Sequence, residues 1–540
     1  MGNTTQAATS IDRAPTVRQE QQLDRLRERA FEQADVLSTA PQKVTDKPQF
    51  PNESPCFVIR SVELRNASEF PWLAVDAAVI GACIGSQGLK LYRQWVARQL
   101  LERGFVTSQV SVPAQDLTQG RLVIDILPGR IGTIRDDNAS LATPHSVFPG
   151  GSGELLNVRA LDQALENIRR LPGQARTAFT LVPGMHLGDS DIVIQRTQAP
   201  RRAVGVLTAD NTGTTATGRH QLGAAVVLNS PLGLYDQLLL TYNTDAEFND
   251  HTLGSSSKSL AWNLPVGYAS VSLGASEWTN KQELLRDAAG NSVPLSGKTR
   301  RFDVGLSYVV YRSSHSKGSV HARLVRREDR SWVSSTELQQ WHRDITSYEL
   351  GVAHREKLAN STLDLALGVR GGLPGLSRSP GAVYEKQDWH GRYEIFTARA
   401  AIETLFSLRG RAWHYLGSVL LQHAPDPVPS TEYVQIGGRY TVRGFDGDTT
   451  LNGPDGWLWR NEIATAVFSG SEAYTALDAG QVFSVGNRPT HSDALIGTSL
   501  GIRGQGQALG YDFSLGLPIN KPGDLHSREP SVDFLLSRRF

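Results

Sequence analysis

The chain has 540 residues, 39% of them hydrophobic, and a formal net charge of +1. That length exceeds one ordinary domain, and the near-zero charge argues against a nucleic-acid binder driven by phosphate neutralisation. No run of eighteen apolar residues is present, which excludes a transmembrane helix. Mean hydropathy is slightly negative, but 51 glycines among many short alternating runs suit a β-barrel. A barrel's signal per strand is far weaker than a helix's, so low hydropathy does not exclude the membrane.

The chain opens on Met1-Gly2-Asn3-Thr4-Thr5, without a basic start followed by an apolar stretch. For an exported protein, the numbering is then expected to begin at or near a mature terminus. Residues 16–37 predict one helix, with Pro15 before it and a Thr16/Gln19 capping pattern. Leu23, Leu26 and Ala30 make only a thin apolar stripe, so the helix is either solvated or lodged in a polar channel. The Pro-rich stretch 38–55 reads as a linker.

From Cys56 to about residue 130 the pattern is a compact α+β unit. Strands are predicted at 57–59 and 62–64, a helical stretch at 72–80 and a clearer helix at 89–103. Two more strands follow at 106–112 and 121–127, ending on Pro128-Gly129. Residues 131–200 repeat the order, with a strand at 131–135, a helix at 158–171 and strands at 177–182 and 191–195. The two cysteines of the chain, Cys56 and Cys83, fall in the first unit. A pair confined to one small domain reads as a disulfide in an oxidising compartment, and two buried free thiols are the plainer alternative. Closing a loop of roughly 28 residues contributes about 3–4 kcal/mol by the chain-entropy estimate.

Beyond residue 201 helical periodicity gives way to period two. Phe302, Val304, Leu306, Tyr308 and Val310 oppose Arg301, Asp303, Gly305 and Ser307; Leu363, Leu365, Leu367 and Val369 oppose Asp364, Ala366, Gly368 and Arg370. In a soluble sandwich the apolar face is core; in a membrane barrel it meets lipid and the polar face lines the lumen. Three features favour the barrel. Roughly 340 residues of strand match about 16 antiparallel strands. Polar insertions at 279–300 and 371–394 are long enough for surface loops, and the chain stops inside a strand with Val532, Phe534, Leu536 and Phe540 on one face.

Val442-Arg443-Gly444-Phe445 sits in a turn-rich segment at about 437–457, followed by Leu477-Asp478-Ala479-Gly480 on a strand. Those four residues alone read most plainly as a surface turn. Inside a barrel the segment can fold into the lumen, where the planar guanidinium of Arg443 can pair bidentately with a wall carboxylate. Period-two counting sets Asp478 inward and Leu477 outward.

The order of polar helix, linker, two α+β units, barrel, Val-Arg-Gly-Phe loop and terminal Phe resembles the outer-membrane transporters of two-partner secretion (TpsB proteins, of the BamA superfamily). The likeness covers nearly the whole chain. It includes Asp210-Asn211-Thr212-Gly213, Thr217-Gly218 and Pro231-Leu232-Gly233-Leu234-Tyr235-Asp236. Cys56-Phe57-Val58-Ile59 with Gly81-Ala82-Cys83-Ile84-Gly85 is similar to the haemolysin-secretion and contact-dependent-inhibition (CdiB-like) branch.

The resemblance implies an all-β transmembrane barrel preceded by two POTRA domains (56–130 and 131–200) and an N-terminal helix (within 1–37) that plugs the pore. It also implies transport without ATP or cofactor of a large unfolded TpsA-type exoprotein, whether haemolysin, adhesin or CdiA-like toxin. Arg443 and Asp478 are carried over as the loop–wall pair, and Phe540 as a terminal assembly signal. Expected partners are the exoprotein, outer-membrane lipid and lipopolysaccharide and the barrel assembly machinery, with no nucleic acid, for a monomer in the outer membrane. A BamA-like insertase shares barrel and loop, but two POTRA units with a plug favour secretion. A diffusion porin would not need POTRA units. A barrel enzyme lacks its motifs: there is no Gly-x-Ser-x-Gly or His-Glu-x-x-His, and Gly297-Lys298-Thr299 has Ser292 where a P-loop needs Gly.

Overall fold

The computed structural model describes residues 36–37, 48–73, 75, 77–136, 143–198, 201–286, 290–379, 389–483, 493–506 and 508–540. The helix expected at 16–37 therefore lies outside the described residues, except for Val36 and Leu37, which are in no regular element.

The two N-terminal units share one design. In the first, Ser61–Arg65 pairs in parallel with Arg121–Leu127, which pairs antiparallel with Gln109–Ser111. In the second, Arg130–Asp136 pairs in parallel with Asp189–Gln195, which pairs antiparallel with Ala178–Pro183. One helix covers each sheet. In Ser86–Glu102 the positions Tyr92, Val96 and Leu100 recur every four residues and are fully buried against Leu122, Ile124 and Ile126. In Val158–Arg169 the apolar stripe is Leu161, Ala164 and Ile168, and Asn157 caps the start by accepting from the Arg159 amide.

The helix expected at 72–80 is not formed. Among the described residues of that stretch only Ala77–Val79 turns, as a short 3₁₀ piece. The local reason is packing. The Trp72 ring stacks on Phe105 and carries the Arg103 guanidinium 4.0 Å above it, so the segment is laid flat across the unit by its aromatics. The strand expected at 106–112 shortens to Gln109–Ser111.

Sixteen antiparallel strands, from Ala203–Asp210 to Ser531–Arg539, close into a barrel. The last strand pairs with the first from Leu535↔Asp210 to Arg539↔Val206. The apolar side faces out: Phe302 is 58% exposed while Asp303 is 5%. This outward apolar face with a polar lumen is the membrane sense of the alternation, not the sandwich sense. The polar insertion at 279–300, expected as a surface loop, is paired strand over 279–286 and 292–300. Ala269–Arg286 and Ser292–Arg312 stay paired out to Arg286↔Ser292, and Glu277 holds the outer part together by pairing with Lys258, Lys298 and Arg300.

The second unit sits on one rim of the barrel. The turn between Gln221–Asn229 and Gln237–Asp245 carries Tyr235 in a left-handed conformation (φ +58°). Its ring is buried in the core of the second unit, and its hydroxyl accepts from Arg196 at 2.6 Å.

Candidate functional site: the loop inside the barrel

Residues 424–454 connect the strands Arg411–His423 and Asp455–Phe468 and turn back into the lumen. Val434–Ile436 and Leu451–Gly453 pair into a short hairpin, and an apolar cluster holds it to the wall. Ile436, Val442 and Phe445 from the loop meet Leu458, Val482 and Leu495 from the strands. An apolar cluster inside a polar lumen gives the loop one place to rest, because leaving it would expose these side chains to water.

Close backbone approach defines that place. Gly444 has φ +103°, and a Cβ there would stand 2.6 Å from the Leu517 carbonyl. A Cβ on Gly497 would stand 1.9 Å from the Arg443 carbonyl, and one on Gly516 2.7 Å from the Gly444 Cα. The wall strands Asp493–Gln505 and Leu509–Asn520 therefore present a flat bed where the loop crosses them.

Arg443, 8% exposed, anchors the loop tip. Its Nε donates to Asp478 Oδ2 at 2.6 Å and its Nη2 to Asp478 Oδ1 at 2.9 Å, while its backbone amide donates to Oδ2 at 3.1 Å. Nη1 donates to Glu462, and Nη2 also reaches the Asn461 carbonyl at 3.1 Å. Asp478 is fully buried and accepts from the Asn461 amide as well. Its neighbour Leu477 is 47% exposed on the outer face, as the alternation requires.

The pair belongs to a larger network that sequence reasoning missed. Glu462 is shared with Arg503 at 2.6 Å, and Arg503 also pairs with Glu472. Arg439 donates to Asp512 at 3.0 Å and to the Phe534 carbonyl on the last strand at 3.1 Å. Arg219, from the turn after the first strand, pairs with Asp448 of the loop at 3.2 Å. The loop is thus tied to both ends of the barrel sequence. Parity could have put Glu462 on the inner face; nothing local marked Arg219 or Arg439 as loop partners.

The other expected residues lie elsewhere. Cys56 and Cys83 form a disulfide in the first unit, beside the short pairing of Phe57–Val58 with Cys83–Ile84. Phe540 extends the final strand, its amide donating to the Gly205 carbonyl at 2.9 Å and its ring 59% exposed on the outer face.

One linker residue is also placed. Glu53 accepts from the amides of Gln87 and Gly88 at 2.7 and 2.6 Å, at the start of the helix Ser86–Glu102, where Gly85 offers no side-chain cap. Desolvation pushes its carboxyl up, and the bonds from the Gln87, Gly88 and Gly85 amides outweigh that and hold it below the usual glutamate value.

Residues 188–504 match the family described as haemolysin secretion/activation protein ShlB/FhaC/HecB, residues 57–129 the ShlB-type POTRA domain and residues 130–179 a POTRA domain. The outer membrane transporter CdiB-2 of Burkholderia pseudomallei (strain 1026b) is 32% identical over 99% of this chain and 96% of its own length. The outer membrane transporter CdiB of Escherichia coli is 28% identical over 95% of this chain and 87% of its own length. Among solved structures, CdiB from Escherichia coli superposes with a TM-score of 0.87 at 26% identity, covering 98% of this chain and 99% of its own. CdiB from Acinetobacter baumannii does so with a TM-score of 0.85 at 26% identity, covering 98% and 99%.

Proposed function

The chain belongs to the ShlB/FhaC/HecB family of haemolysin secretion/activation proteins, and on that footing we propose that it exports a large TpsA-type exoprotein, unfolded, from the periplasm to the cell surface. It is an outer-membrane two-partner secretion transporter of the CdiB-like branch, with its POTRA domains in the periplasm. The exoprotein is then a CdiA-like toxin or a haemolysin-type protein, and the transporter acts without chemistry of its own. Residues 1–37 supply the pore-closing helix, 38–55 the linker, 56–130 and 131–200 the two POTRA domains and 201–540 the barrel. The partners are the exoprotein, the lipid and lipopolysaccharide around a monomeric barrel, and the assembly machinery that reads Phe540.

The observation that carries this reading is the loop held by Arg443 within a closed barrel whose rim bears the second of two small domains. A barrel of sixteen strands without a filled interior is a passive pore; here a structured loop occupies the lumen and is fastened to the wall by an apolar cluster and by a set of ion pairs centred on Arg443. Unfolded chain can reach the pore by adding to a sheet edge, and Gln109–Ser111 and Ala178–Pro183 are edge strands of their units.

The test is a secretion assay in a bacterium with an outer membrane, expressing this chain together with its exoprotein. Appearance of the exoprotein outside only when the chain is present supports export. Retention in the periplasm, with altered levels of other outer-membrane proteins, would point to an insertase instead.

A further inference from the structure

The helix Val158–Arg169 and its C-cap bury two faces, not one. Besides the apolar stripe, the residues Gln163, Glu166, Asn167 and Arg170 recur at i, i+3, i+4 and i+7, and all four are buried. A polar stripe at that spacing lies along one side of a helix and needs partners once buried. It finds them on three successive periplasmic turns of the barrel. Arg170 Nη2 donates to the Tyr235 carbonyl at 2.5 Å, and its Nη1 donates to Asn263. Asn167 Nδ2 donates to the Gly267 carbonyl at 2.9 Å. Glu166, 0% exposed, accepts from Arg312 at 2.6 Å and from Lys317 across the third turn, while Gln163 accepts from Arg312 at 2.9 Å.

We propose that this stripe is a docking face that holds the second POTRA domain in one orientation over the pore mouth, and that Glu166 is the positioning residue for transport. The inference rests on the export reading above. An isolated buried carboxylate is costly, whereas two cations from neighbouring strands compensate it only in the docked geometry. Glu166 therefore discriminates the seated orientation from any swung one. Three turns engaged at once leave no axis free for rotation. The edge strand Ala178–Pro183 is then presented at a constant angle to the lumen, and a captured chain has a defined path inward. Glu166 touches the barrel, not the exported chain, so its effect is indirect.

The experiment places spin labels at Leu187→Cys, exposed on the second domain, and Ala359→Cys, on a periplasmic turn. The native cysteines are paired and do not compete for label. Distance distributions and exoprotein export are measured on the full chain in outer membrane, with and without Glu166→Ala. The expected result is a narrow distribution that broadens in Glu166→Ala, with export reduced tenfold or more and the barrel still folded by its gel shift on heating. Broadened distances with full export would overturn the proposal, because orientation would then be irrelevant. Lost export with an unchanged narrow distribution would overturn it too, since Glu166 would be acting otherwise than by positioning. If Glu166→Ala fails to assemble, Asn167→Ala, which keeps both charges, is judged by the same pair of readouts. A parent chain that exports nothing fails the export reading, and the distances still decide the docking.

Discussion

Asp478 holds Arg443 in two ways at once, accepting from its backbone amide at 3.1 Å and from its guanidinium at 2.6 and 2.9 Å. One carboxylate therefore sets both the course of the loop backbone and the direction of the side chain. Truncation by Arg443→Ala leaves Asp478 and Glu462 buried on the wall with a lost partner, a change that costs about 3–5 kcal/mol for a buried pair. The strand ladders do not pass through this contact, so the barrel should still form. The expected outcome is a barrel that keeps its heat-dependent gel shift and exports at a tenth or less of the parent rate. Arg443→Lys should rescue poorly, since an ammonium cannot span Asp478, Glu462 and the Asn461 carbonyl together. Undiminished export by a folded Arg443→Ala chain would sink the role given to this residue.

Gly497→Val asks the same question from the wall side. Any Cβ there meets the Arg443 carbonyl, so the loop must lift while Arg443 and Asp478 are both retained. Trypsin or proteinase K added outside cells should cut within 437–450 in the variant and spare the parent, with export lowered alongside. A loop equally protected in both would mean the bed tolerates the side chain.

The polar helix expected at 16–37 from the sequence gives a conductance prediction. With residues 1–37 deleted, single-channel conductance in a planar bilayer should rise several-fold, because a helix polar on nearly all sides is suited to a hydrated pore. Equal conductance with and without those residues would remove the helix from the lumen.

Glu53 predicts a pH dependence. Its carboxyl is held below the usual 4.5 in the folded state. Its contribution is therefore fully present above the unfolded value and is lost as pH falls through the folded one. Hydrogen exchange at the Gln87 and Gly88 amides should accelerate in the parent beyond its intrinsic pH trend as pH falls below the usual glutamate value, and at neutral pH already in Glu53→Ala. Equal protection in parent and variant at pH 7 would show the cap to be unimportant.

Replacing Cys56 and Cys83 together by Ser removes a cross-link across a loop of roughly 28 residues, about 3–4 kcal/mol by loop entropy. The loss should stay local. Exchange protection across 57–127 should fall while the barrel strands keep theirs. A uniform loss over both would show that the units unfold together.

Much of this architecture is legible in the sequence, for a physical reason. Strand parity is rigid, so Phe302 and Asp303, or Leu477 and Asp478, are assigned to opposite faces by counting. Short-range packing is not encoded that way. The stretch 72–80 carries a helix-compatible pattern, but Trp72 stacks on Phe105 thirty-odd residues away and prevents it. Likewise 279–300 looks like loop because its residues are polar, yet cross-strand pairing carries the ladder through it. The contacts of Glu166, Arg219 and Arg439 join segments far apart in the chain, and nothing in their local surroundings announces the partner.

Tyr235 carries a consequence for modularity. The second POTRA domain completes its interior with a ring that belongs to the barrel, so the border between the two is not a seam along which either can be cut cleanly. A fragment ending near residue 198 would keep an aromatic-sized void in its core, and a void of that kind typically costs about 3–5 kcal/mol. The domain therefore reaches its final packing only once the turn at 230–236 exists, which couples its maturation to barrel insertion. Chimaeras that exchange periplasmic units between relatives should work only when the turn travels with the domain it completes.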